Sequence, residues 1–194
     1  YCEWAPNEKV AMEVAFGAAT GGARSFCAMK HVGLNVAADP LYTASYIGVN
    51  GGMVIAVADD PGMHSSQNEQ DSRHHAIASK TPMLEPCDSA ECLAYTKLAY
   101  ELSEQFDTPF LLRLSTRVSH CRSLVETAER EERELKPYRK DVMKNVMMPA
   151  MAKGRHVVVE KRTEALRAWA ESSGINRVEY NDTRIGIVCA GSSY

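Results

Sequence analysis

Six consecutive apolar residues, Met53-Val54-Ile55-Ala56-Val57-Ala58, follow Gly51-Gly52 and end at Asp59-Asp60-Pro61. An apolar run without alternation suits a strand covered on both faces, the central position of a parallel sheet. Phe110-Leu111-Leu112-Arg113-Leu114, after Thr108-Pro109, repeats the pattern. Shorter runs at 23–29 and 82–86 read as two more strands. Helical stretches separate the four. The sequence therefore predicts an α/β fold, a doubly wound parallel sheet with helices on both faces.

The helices have their own signals. Over 8–20, Val10, Val14 and Gly17 share one face, Ala11, Ala15, Ala18 and Ala19 allow close approach, and Gly21-Gly22 ends the helix. A helix interrupted or begun near Pro40 is expected over 35–48, and a short one over 69–79. Asp88-Ser89-Ala90-Glu91 has the form of a capping box for a helix to about Phe106, with Cys92, Tyr95, Leu98, Ala99 and Leu102 facing inward. Beyond residue 125 the character changes. Residues 126–144 are dense in charge and read as a solvated helix or linker. Residues 155–160 could be a strand or the start of an extension, and 162–173 an amphipathic helix around Ala165, Leu166 and Trp169. Three regions are expected: a core domain over 1–125, a charged helical extension over 126–180, and the first strand of a following domain over 181–194. The absence of an initiator Met and the strand-like ending suggest a piece of a longer protein.

Composition narrows the function. A formal net charge of -3 gives no general reason to expect nucleic acid as a partner. No apolar run approaches the ~20 residues that span a bilayer, and no signal-peptide pattern opens the chain. None of the six cysteines forms a Cys-x-x-Cys pair, which argues against a zinc ribbon or an iron–sulfur run and for reduced thiols in a cytoplasmic protein.

Chemistry-bearing residues gather after the expected strands, where open α/β sheets place ligands. Glu8 opens a helix of small residues, and Lys30-His31 closes the first strand ahead of Gly33 and Asn35. A carboxylate, two basic groups and a close-packed helix suit a heterocyclic cofactor. Glu8 could equally be a first-turn acid favoured by the helix dipole, and Lys30 and His31 could simply end a strand in solvent. Glu13 falls on another face and reads as surface. After the central strand, Asp59, Asp60, His64, Glu69, Asp71, His74 and His75 fit no fixed-ligand spacing, so no metal is expected. Arg73 could hold a carboxylate bidentately or pair with Asp71. Arg117 and His120, after the fourth strand, could line a site or cap a helix. Ser119 has no defensible triad around it.

Glu8 to Leu34, the run Asp59-Asp60-Pro61-Gly62-Met63-His64-Ser65-Ser66-Gln67-Asn68-Glu69, and Thr116-Arg117-Val118-Ser119-His120 together carry a resemblance. From about Trp4 onward the chain resembles the 2-oxoacid:ferredoxin oxidoreductases, thiamine diphosphate enzymes, and among them the indolepyruvate-type alpha subunits. The resemblance implies the pyrimidine-binding domain of such an enzyme. It implies that Glu8 meets N1′ of the aminopyrimidine and favours the imino tautomer that activates the cofactor. It also implies Lys30, His31 and Asn35 near the cofactor, and Arg73, His64, Arg117 and His120 near an aryl pyruvate substrate. Coenzyme A, ferredoxin, a beta subunit and a homo- or hetero-oligomeric assembly follow from the same resemblance. Mg²⁺, the cofactor's diphosphate and 4Fe–4S clusters belong to parts of such enzymes whose motifs are not found here: no Gly-Asp-Gly…Asn pattern and no cysteine-rich segment. Two other readings stay open: a non-catalytic assembly module of the same fold, and a non-oxidative 2-oxoacid decarboxylase.

Overall fold

A computed structural model describes residues 1–194. Helix α1 (Glu8–Thr20) starts at Asn7, whose side-chain oxygen accepts from Val10 N at 3.0 Å, an N-cap that satisfies an otherwise orphaned donor. Strand β1 (Ser25–Lys30) runs straight into α2 (His31–Val36), followed by α3 (Ala38–Ile47) and β2 (Met53–Asp59). Next come α4 (Arg73–Ser79), β3 (Met83–Leu84), α5 (Ser89–Phe106) and β4 (Phe110–Ser115). The remaining helices are α6 (Thr116–His120), α7 (Val142–Asn145) and α8 (Pro149–Ser172).

The four strands are parallel, in the order β1-β2-β4-β3. Side-chain alternation splits the core between the two faces of the sheet. Met53, Ile55, Val57 and Leu111 join Met12, Leu34 and Leu41 on one face. Val54, Phe110, Leu112 and Leu84 join Ala99 and Leu102 on the other. The chain moves across the sheet from β1 through β2 to β3, then turns back to β4. Keeping the usual right-handed crossover puts α5 on the face opposite α1 and α3. Open sheets place ligands at the carboxyl ends of the strands beside such a reversal.

The sequence-predicted sheet and helix placement hold, with local corrections. The buried face of α1 is Met12, Ala15 and Ala19, whereas Val14, Gly17 and Ala18 face outward. His31 does not close the first strand, which ends at Lys30, but begins α2. Helix α4 starts at Arg73 rather than at residue 69, because Asp59 takes both the N–H and the hydroxyl of Ser72. At α5, Asp88 accepts from Glu91 N at 2.8 Å, but Glu91 reaches back to Cys87 N rather than to Asp88. Residues 155–160 form no strand but lie in the middle of α8: its buried positions Arg155, Val159 and Arg162 follow the helical period. Residues 126–140 form no helix. No strand forms over 184–190, where Ile185, Ile187 and Val188 are exposed and have no neighbouring strand to pair with. No helix is long and apolar enough to cross a membrane.

Candidate functional site

The carboxyl ends of the strands bring together Lys30, Asp59, Asp60, Glu85, Ser115 and Thr116, with the start of α1 beside them. Asp60, buried just past β2, fixes the loop that follows. Its carboxylate accepts from the Thr116 hydroxyl at 2.6 Å and from Ser65 N at 2.8 Å. Those two donors, Thr116 first, hold it well below the usual carboxylate range. Asp59 has no exposed side-chain area and accepts from Ser72 N at 2.9 Å and from Arg113 Nε at 2.6 Å. Arg113 also donates to Glu85 at 3.2 Å. Arg73 Nη2 lies 2.8 Å from Asp71; this hydrogen-bonded guanidinium holds the Asp71 carboxyl down to about 2, against the opposing effect of burial. A strand-end layer of paired charges thus ties β2, β3, β4 and the 60–72 loop into one body.

Glu8 is in different surroundings. It is the first residue of α1, half-buried, and it lies against Gly33 of α2. A Cβ at Gly33 would stand 2.5 Å from Glu8 Cγ and 2.9 Å from both Cδ and Oε1. No donor of the chain engages the Glu8 carboxylate. It is an acid packed at the start of α2, with its oxygens unpaired within the chain.

The remaining expected residues divide into occupied and free. His31 is 1% exposed, with Nδ1 3.3 Å from Ala58 O and Nε2 3.2 Å from Asn68 O. The ring thus sits between two carbonyls at the junction of β1, β2 and the 60–72 loop. Asn35 donates to Gln70 at 2.9 Å, and its oxygen faces His75 Nε2 at 2.9 Å. Arg73 is engaged by Asp71, one of the two readings its sequence left open. Lys30, His64, Arg117 and His120 are exposed. Lys30 and Arg117 have no acidic partner in the chain, so they are the strand-end cations whose charge is not already met.

Two features escaped the sequence reading. Arg113 was legible as the one charge inside an apolar run, but its partners are 54 and 28 residues away. The contact between Gly33 and Glu8 had no sequence signal. A surface groove of about 1010 Å³ lies elsewhere, beside Arg24, Lys97, Tyr100, Glu104 and Lys136 near the amino end of β1. Glu104 there accepts from Arg24 at 2.8 Å and from Lys136 at 2.6 Å. The groove contains none of the expected site residues, so we place the site at the strand ends.

Comparison with known proteins identifies the family. The fold is shared with a 2-oxoglutarate:ferredoxin oxidoreductase from Magnetococcus marinus at a TM-score of 0.62 and 13% identity, over 85% of this chain and 36% of that one. The indolepyruvate oxidoreductase subunit IorA of Archaeoglobus fulgidus is 43% identical over 196 residues, and that of Methanothermobacter thermautotrophicus is 46% identical over 198. Both alignments take in all of this chain but 32% of the relative, so the chain spans about a third of the length of these curated relatives. Residues 4–179 match the model of the pyruvate flavodoxin/ferredoxin oxidoreductase, thiamine diphosphate-binding family. The chain belongs to that family.

Proposed function

We propose that this chain supplies the pyrimidine-facing half of a thiamine diphosphate site in an indolepyruvate:ferredoxin oxidoreductase, with Glu8 as the acid that activates the cofactor. The observation that carries this reading is the Glu8 carboxylate, seated over Gly33 without a partner, at the start of a helix beside the strand ends. The likeness in sequence to indolepyruvate oxidoreductase subunits supports the substrate class.

Bound thiamine diphosphate supplies an electron sink for the charge left when a 2-oxoacid loses carbon dioxide. Glu8 holds and shares a proton at N1′ of the aminopyrimidine, a task for which a half-buried carboxyl with no competing donor is suited. Lys30 lies at the same strand end. His31 and Asn35, proposed at the cofactor from sequence, act here through the packing of α2 against the 60–72 loop. For the substrate carboxylate we favour Arg117, with His120 and His64 as further candidates, because Arg73 and Arg113 are already neutralised by Asp71, Asp59 and Glu85. Coenzyme A, a ferredoxin-type acceptor, iron–sulfur clusters, Mg²⁺ and a beta subunit belong, in this reading, to the assembled enzyme. No group of three or more His, Cys, Asp or Glu side chains in this chain is arranged to hold a metal ion.

The test is indolepyruvate oxidation by the full-length parent protein, with coenzyme A and a ferredoxin-type acceptor, wild type beside Glu8→Gln. Loss of a proton-transfer group costs about 10²- to 10⁴-fold in rate, and a drop of that size is expected. Activity that survives would remove Glu8 from the chemistry and favour an assembly module of the same fold. Turnover that needs neither coenzyme A nor an electron acceptor would favour a non-oxidative decarboxylase.

A further inference from the structure

We infer that Gly33 is a positioning residue: its missing Cβ is the space that sets the direction of the Glu8 carboxylate. The inference rests on the proposed role of Glu8. Gly33 is buried in the middle of α2, and its φ is not positive, so the backbone does not require glycine there. Glycine is a poor helix former, so its use at this position needs another reason. Room is the reason the structure offers. The three atoms nearest to an added Cβ all belong to Glu8: Cγ at 2.5 Å, Cδ at 2.9 Å and Oε1 at 2.9 Å.

Other close-packed glycines differ in what they would strike. A Cβ at Gly51 would meet the Ala23 carbonyl oxygen at 2.2 Å, and one at Gly52 would meet that of Tyr100 at 2.8 Å. Backbone cannot step aside cheaply, so those glycines serve the fold. The obstacle at Gly33 is a side chain with three rotatable bonds that begins the helix and has no partner holding it in place. A methyl group at Gly33 meets Glu8 before anything else, and Glu8 can turn away from it. Stability and carboxylate position therefore separate at this residue. Displacing a reacting group by about 1 Å is enough to cost on the order of 10²-fold in rate.

The experiment uses the full-length holoenzyme and compares Gly33→Ala, Glu8→Gln and the double variant. For Gly33→Ala we expect a thermal midpoint and thiamine diphosphate affinity close to wild type, a 10- to 100-fold fall in kcat at unchanged KM for the 2-oxoacid, and loss of the near-ultraviolet circular dichroism band of the bound iminopyrimidine tautomer. In the Glu8→Gln background the same substitution should have no further effect, because its route to the chemistry is already gone. Retained kcat and an intact band in Gly33→Ala, beside an inactive Glu8→Gln, would overturn the inference and leave the role of Glu8 standing. A Gly33→Ala protein that fails to fold would also overturn it, since then more than Glu8 must give way. Full activity in Glu8→Gln would overturn the underlying reading itself.

Discussion

Arg113 stands in the interior of an apolar strand and gives three acids something to face. Asp59 and Glu85 lie within 3.2 Å of it, and Asp71 within 3.7 Å. With Asp59 fully buried, deleting one member leaves an uncompensated interior charge, a loss of about 3–5 kcal/mol. Arg113→Met in the parent protein should lower the thermal midpoint of this domain by on the order of ten degrees. The double variant Asp59→Asn/Arg113→Met should recover part of that loss, because a neutral pair carries no stranded charge. Scanning calorimetry of the three proteins checks this, and a single variant as stable as wild type would show that solvent reaches the cluster. The same layer of charge explains why sequence could propose Arg73 for a substrate but could not choose between that and its pairing with Asp71. A guanidinium's availability depends on acids that are distant in the chain.

Among the elements, α8 shows how tertiary contacts override local signals. Val157-Val158-Val159 reads as strand, yet Val157 is 53% exposed while Val159 is wholly buried. What fixes the helix is a pair of arginines seven residues apart. Arg155 donates to Tyr46 O at 2.7 Å and to Ile47 O at 3.0 Å; Arg162 donates to Ser45 O and Asp107 O, each at 2.7 Å. These carbonyls are the last of α3 and the cap of α5, ends that lack intrahelical donors and attract cations. Burial pushes the Arg162 guanidinium down to about 10, Asp107 opposing the shift and Arg155 adding to it, which leaves it charged at neutral pH. Helix α8 thereby joins helices from opposite faces of the sheet. Arg162→Leu keeps some apolar bulk but strands the buried Ser45 carbonyl, at a cost of about 1–3 kcal/mol, and frees the partly buried Asp107 carbonyl. Hydrogen exchange across α8 should speed up by at least tenfold while that of β2 and β4 stays unchanged. Uniform acceleration in all three would mean that α8 is integral to the sheet domain rather than docked on it.

For the molecule as a whole, the region at the strand ends presents a carboxylate, unpaired cations and a fixed loop, but no feature for a diphosphate or its metal ion. The 194-residue chain alone should therefore bind thiamine diphosphate weakly and should not turn over an aryl pyruvate. Titration calorimetry with and without Mg²⁺ checks this: a tight, Mg²⁺-dependent isotherm would place the whole cofactor site within this chain. The division into a core over 1–125, an extension over 126–180 and the start of a further domain from 181 is a proposal of the same kind. Helix α8 packs on α3 and reaches the cap of α5 through Arg162.

Local pattern was enough for the sheet, the strand ends and the motif residues around Glu8, because burial on both faces writes an unbroken apolar run and a capping residue writes a turn of helix. The sequence alone determined that this is a parallel α/β domain with titratable residues gathered after its strands. Only the tertiary structure decided which candidates are free to act. His31 is buried between two carbonyls, Asn35 is held by Gln70 and His75, and Arg73 is paired with Asp71, while Glu8, Lys30 and Arg117 remain unpaired. Glu8 and Gly33 are 25 residues apart in sequence, and their contact exists only because α1 and α2 pack at the same end of β1. Hydrophobic period is a local property, and charge compensation is not: it depends on where distant parts of the chain come to rest.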